Sequence, residues 1–185
     1  MSNLASSNGD DYPAAAAKHL EDARTLLDAQ RHDGAAYLAG YVVECSLRSV
    51  VMIGRLAKEA EATAIELGRK GQKVNLRREL QPTGSTLRRF RGEARREARE
   101  RGRDHDLGDL AEATTGYTAV LAPYVARYAP TINPKNPPFG WQAKFTDIRY
   151  HAEGAVKDAT AWVKEAEAVY VSTVGAMMRD GLVTS

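Results

Sequence analysis

The sequence has one cysteine, Cys45, in 185 residues, so neither a disulfide within the chain nor a cysteine-rich zinc site can form. Its four histidines, at 19, 32, 105 and 151, fall in no HExxH or tight Cys/His spacing, and no metal is expected. Neither GxxxxGK[ST] nor GxGxxG occurs, which removes the usual phosphate-cradling loops, and no cofactor is expected. No run approaches about 18 consecutive apolar residues, so no membrane span is expected. The opening MSNLASSNGDDY lacks the basic region and apolar core of a signal peptide. It reads as a disordered polar tail over residues 1–12, and a cytoplasmic location is the default expectation. Strand signals are scarce as well: there is no period-two run and no hairpin dipeptide between apolar stretches.

Net charge is also low, at +2, but it is unevenly placed. Residues 69–103 hold 13 Lys or Arg against 4 Asp or Glu, a local +9, and the rest of the chain carries −7. A basic segment is thus joined to a mildly acidic body. Overall, 43% hydrophobic and 27% charged residues make an ordinary globular balance.

Helical spacing organises what is present. Pro13 opens AAAAKHLEDARTLLDA, in which Ala16, Leu20, Ala23 and Leu27 recur every three or four residues. Asp33 is placed to cap a second helix that is apolar on most sides from Ala35 to Ile53 and runs to about Leu67. A helix of that kind belongs in the middle of a bundle. A loop or connector is expected over 68–84, then a weakly apolar, arginine-rich stretch from Ser85. Asp104 is placed to cap a further helix carrying Leu107, Leu110, Ala111 and Thr114. Residues 129–140 hold four prolines and cannot continue a helix. WQAKFTDIRY is read as a short helix or ordered turn, and a last helix is expected from about Glu153 to Met178. The expectation is an all-α fold, an up-and-down bundle of four or five helices. It forms one domain over residues 13–180, with a basic insertion at about 68–103.

Several residues stand out as carriers of chemistry. Glu44 lies in the apolar YVVECSLRSVV, where a stranded carboxylate would cost several kcal/mol, so it needs a partner. Arg48 is one helical turn on. The pair is either an internal bridge that fixes packing or part of a pocket. His105 sits between Asp104 and Asp106 and is placed to cap, to pair with an acid or to face a cleft, with Arg99 upstream. Arg149, Tyr150 and His151 follow Trp141 and the proline-rich loop, and are read either as a packed loop anchor or as the lining of a groove. An Arg and a His can act together in RNA cleavage, one holding phosphate charge and the other moving a proton. Arg77, Arg78, Arg88, Arg89, Arg95 and Arg96 are the candidate nucleic-acid contacts, since clustered cations neutralise phosphates. Pairing with the acidic body is the alternative use of that charge.

The run from the first helix through His32, Asp33, Ala36, Tyr37, Gly40, Tyr41 and Glu44 resembles the opening two helices of the HEPN family. HDLGDL, from His105 to Leu110, and the pairing of Trp141 with Arg149-Tyr150 resemble later family segments in the same order. The resemblance implies a helical bundle that forms a homodimer and binds a nucleotide, RNA or a partner protein. A nucleotidyltransferase-like antitoxin is the implied partner, in a toxin–antitoxin or defence setting. Tyr41, Glu44, Arg48, Trp141 and Tyr150 are the candidate ligand-binding residues. The alternative that the resemblance carries is a metal-independent endoribonuclease using His105 or His151 with Arg99 or Arg149. Ribonuclease members have an Arg, four to six residues, then a His. Here Arg149 and His151 are separated by one residue and Arg99 and His105 by five, so the motif is degenerate or absent.

Overall fold

Two helices joined by a tight turn form the centre of the computed structural model, which describes residues 2, 4–5, 11–66, 105, 107–120, 126–128, 145–151 and 154–184. Helix α1 spans Tyr12–Asp28 and α2 spans His32–Glu66. The Asp11 carboxylate accepts from the Ala14 amide at 3.1 Å, and Pro13 lies in the first turn, where its missing N–H leaves no bond unmade. Of the apolar stripe expected on α1, Ala16, Leu20 and Ala23 are fully buried, and Leu27 packs at the edge of the core.

Helix α2 is the core helix. Ala35, Ala36, Ala39, Val42, Val43, Leu47, Val50 and Ile53 are all sealed from solvent, on more than one side of the helix. It packs against α1, against α3 (Leu107–Val120), against α4 (Ala159–Tyr170) and against the tight helical turn Phe145–Tyr150. Its stretch His32–Thr63 is long and apolar enough to cross a membrane by length and composition, yet 78% of that apolar window is buried inside the protein. Such burial is what a central bundle helix shows. Among the described residues every regular element is helical, as the all-α expectation requires.

Gly40 explains how the Phe145–Tyr150 turn reaches α2. A Cβ at Gly40 would fall inside the Phe145 ring, so only glycine lets that ring lie on the helix backbone. Phe145 is 1% exposed and joins α1, α2, α3 and α4 residues in one apolar cluster.

Three local expectations change. Asp33 does not cap α2; it lies within the first turn, and its carboxylate accepts from the Ala155 and Val156 amides at 3.2 and 2.9 Å. It thereby ties the start of α2 to the chain entering the last helix. That last helix starts later than Glu153: Asp158 caps it by accepting from Ala161, and α4 begins at Ala159. It also widens into a π-turn over Val171–Gly175 before α5 (Ala176–Arg179). Ser172 and Thr173 there donate to carbonyls one turn back, at 2.9 and 2.6 Å, which competes with the regular helix ladder. The third change concerns the polar tail. Leu4 is buried with Val50, Ile53, Tyr128, Met177, Leu182 and Val183, and Ser2 donates twice to the Asp11 carboxylate. Apolar burial and a charged acceptor hold these tail residues in place.

Candidate functional site

One face of α2 carries Tyr37, Tyr41, Glu44 and Arg48, spaced four, three and four residues apart and therefore aligned on consecutive turns. Glu44 is the hub. Its Oε1 accepts from Arg48 Nε and pairs with Nη2, both at 2.7 Å, and its Oε2 accepts from His105 Nδ1 at 2.8 Å. An ionised carboxylate only accepts, so Nδ1 carries the proton. Burial pushes the Glu44 carboxyl up, but the His105 bond, the Arg48 charge and the His105 charge outweigh it and hold it below the usual carboxylate range. Arg48, 12% exposed, is held charged by the same carboxylate despite its own burial, and its guanidinium lies 5.7 Å from the Tyr12 ring centre.

His105 has a left-handed backbone, with φ of 71°, and opens the approach to α3. Its imidazole does not serve merely as a helix cap: it reaches across to α2 while its side chain stays 40% exposed. The structure gives Glu44 the internal bridge to Arg48 and extends that buried pair to a half-exposed histidine.

An aromatic arc continues from there. Tyr41 meets the His105 ring edge-on at 5.9 Å, Phe145 at 5.0 Å and Tyr37 at 5.1 Å. The Tyr37 and Tyr41 hydroxyls are 3.2 Å apart. Burial, the Tyr37 hydroxyl and the nearby Glu44 charge push the Tyr41 phenol well above its ordinary range, so it stays a neutral hydrogen-bonding group. Arg149 lies at the far end, its charge close to both Tyr37 and Tyr41. It donates to the Tyr150 hydroxyl at 2.6 Å, and its guanidinium sits 4.6 Å from that ring's centre.

His19 was not anticipated here. Its ring lies 5.6 Å from Tyr41 on the side of α1, and its Nδ1 is buried without a hydrogen-bond partner. Desolvation and the neighbouring Lys18 lower its pKa. The only sequence hint was its place beside Leu20 at the margin of the α1 apolar stripe, a weak signal that the fold turns into a contact.

Glu44, Arg48, Tyr41, His105, Arg149 and Tyr150 therefore fall along one connected strip. His151 does not join it: it is exposed at the end of the turn, its amide bonded to the Ile148 carbonyl. Arg149 and His151 form no pair with each other among the described contacts. Trp141, Arg99, Arg77, Arg78, Arg88, Arg89, Arg95 and Arg96 lie outside the described residues. Among the described residues no three His, Cys, Asp or Glu side chains converge as a metal ion would need. Cys45 is buried beside Glu44, and burial pushes its thiol up to about 12, which suits a packing residue rather than a nucleophile.

What the strip offers chemically is Arg48 and the His105 imidazole on one buried carboxylate, then edge-on aromatic rings, with Arg149 at the far end. No protein-family model, curated protein or solved structure matches this chain.

Proposed function

We propose that this chain is a HEPN-like helical protein that binds a nucleotide or RNA on the strip from His105 to Tyr150. One observation carries the reading: buried Glu44 orients Arg48 and His105 together, on a strip that ends at Arg149. With His105 protonated, two cationic groups hold one carboxylate and Arg149 adds a third positive charge at the far end of the strip, a net surplus that attracts phosphate. The +9 segment ends at residue 103, two residues before His105 in the sequence, and is a further source of positive charge for a polyanion. Polyanions gain more from such clustering than a single phosphate does. The resemblance adds a homodimer and a nucleotidyltransferase-like antitoxin as the partner. The test is fluorescence anisotropy of labelled RNA and labelled nucleotide with the full chain across a salt series. Binding that weakens steeply with salt supports the reading; absence of binding to both ligands overturns it.

A second reading, a metal-independent endoribonuclease, is favoured by the Glu44–His105 bond, since a carboxylate that fixes an imidazole tautomer is how general bases are oriented. In that reaction the RNA 2′-oxygen attacks phosphorus and its proton passes to the His105 imidazole. The bond from phosphorus to the 5′-oxygen breaks, and the leaving oxygen takes up a proton from water. The products are a 2′,3′-cyclic phosphate and a 5′-hydroxyl, and in this reading Arg149 offsets charge on the phosphoryl oxygens. Incubation with total RNA in EDTA, followed by end-group analysis, tests it. Cleavage retained in His151→Ala and lost in His105→Ala supports this reading, and no cleavage by the unaltered chain removes it.

A further inference from the structure

Tyr150 is 74% exposed, the most open of the large hydrophobic side chains among the described residues. Exposed tyrosines are common, but this one is held. The Arg149 side chain bonds its hydroxyl and covers part of its ring, while the turn that carries both is anchored by Phe145 on Gly40. Phe145 is sealed in the core, so the pair projects from a fixed base and not from a loose loop. Arg149 also lies close to the Tyr37 hydroxyl on α2. A flat ring, one face open to solvent and a guanidinium alongside, is the combination that accepts an unstacked base and its adjoining phosphate.

We infer that Tyr150 is a stacking platform for a nucleobase of single-stranded RNA, with Arg149 contacting the phosphate next to that base. The inference rests on the RNA-binding reading above and gives the site a preference for unpaired strands. In duplex RNA the bases are stacked on one another, so no free face reaches Tyr150. The remaining strip, from Tyr37 through Tyr41 to His105, lies on the same side of α2 and would receive the neighbouring backbone. Charge complementarity selects the occupant: Arg149 is cationic, and His105 when protonated adds a positive charge to the Glu44–Arg48 ion pair, which suits a polyanion better than a second apolar surface.

The experiment compares three labelled RNAs of about 12 nucleotides, within the span such binding surfaces cover. These are a single strand, a duplex and an abasic strand that keeps the ribose-phosphate backbone. Each is titrated against the full unaltered chain, Tyr150→Ser and Tyr150→Phe. Loss of one stacked base weakens binding about 5- to 100-fold, so Tyr150→Ser should lose that much on the single strand. The same variant should bind the abasic strand within about twofold of the unaltered chain, and Tyr150→Phe, which keeps the ring, should hold the single strand within about twofold. Equal loss on both strands, or no loss on either, overturns the inference while phosphate binding stands. An unaltered chain that binds none of the three RNAs removes the platform and the RNA half of the reading, and labelled nucleotide that still binds leaves the nucleotide half standing. Light scattering on the same proteins guards against a different occupant: a Tyr150→Ser chain that changes oligomeric state assigns the ring to a second copy and overturns the inference.

Discussion

His105 and Glu44, 61 residues apart in the chain, are joined by a 2.8 Å hydrogen bond from an imidazole 40% exposed to a carboxylate almost fully buried. The same carboxylate binds Arg48 with its other oxygen. An internal charge is thereby connected to the surface through a group whose own charge depends on pH. That link makes the Glu44 cluster a structural element that reaches the protein surface.

Removing Glu44 should be costly. Glu44→Ala leaves Arg48 buried without its carboxylate, and we expect a loss of about 3–5 kcal/mol in stability by urea denaturation. Replacing both partners with apolar residues of similar size, Glu44→Leu with Arg48→Met, should cost less than Glu44→Ala alone, because no stranded charge remains. A double variant less stable than Glu44→Ala would contradict this account.

Gly40→Ala tests the seat of Phe145. The added methyl overlaps the ring, so the ring or the α2 backbone must move, at a cost of about 1–3 kcal/mol. Because the same turn carries Arg149 and Tyr150, ligand binding should weaken alongside thermal stability. A crystal structure with Phe145 unmoved in this variant would rule the explanation out.

Asp33 joins two distant segments through the amides of Ala155 and Val156. Asp33→Ala leaves both amides to water, and a loss of about 1 kcal/mol is expected, comparable with removal of a helix cap. Hydrogen exchange should speed up at Ala155 and Val156 more than at α4. Unchanged protection at these two amides would argue against the tie.

Acid should weaken the fold in two steps. His19 has its pKa lowered from 6.5, so the unfolded chain binds that proton first, and stability falls from about pH 6.5 down to the lowered value. Glu44 has its pKa lowered from 4.5, so its contribution is full above about pH 4.5 and disappears as pH drops through the lowered value. His19→Gln should flatten the upper window and Glu44→Gln the lower one, read as urea midpoints against pH. Slopes unchanged in both variants would show that other groups govern acid stability.

Much of this protein is written in short-range pattern. The 3.6-residue recurrence of Ala16, Leu20 and Ala23, and the nearly all-apolar run from Ala35 to Ile53, predict α1 and α2 because burial of a helix face depends on spacing alone. The Glu44–Arg48 pair is legible for the same reason, being one turn apart on a helix whose neighbours exclude water. The surplus of positive charge over residues 69–103 is likewise a property of composition.

Other features needed the tertiary structure. His105 meets Glu44 only because α3 packs on α2, and no spacing rule spans 61 residues. His19 enters the site through the α1–α2 packing that sets its ring against Tyr41. Asp33 had the sequence of a cap, yet the approach of Ala155 and Val156 gave its carboxylate better donors than the α2 amides. Local pattern determined which residues are helical and which face is apolar, because those depend on neighbours three and four positions away. Which polar groups share a site was decided by how the helices meet, where each buried donor and acceptor has to find its partner across the fold.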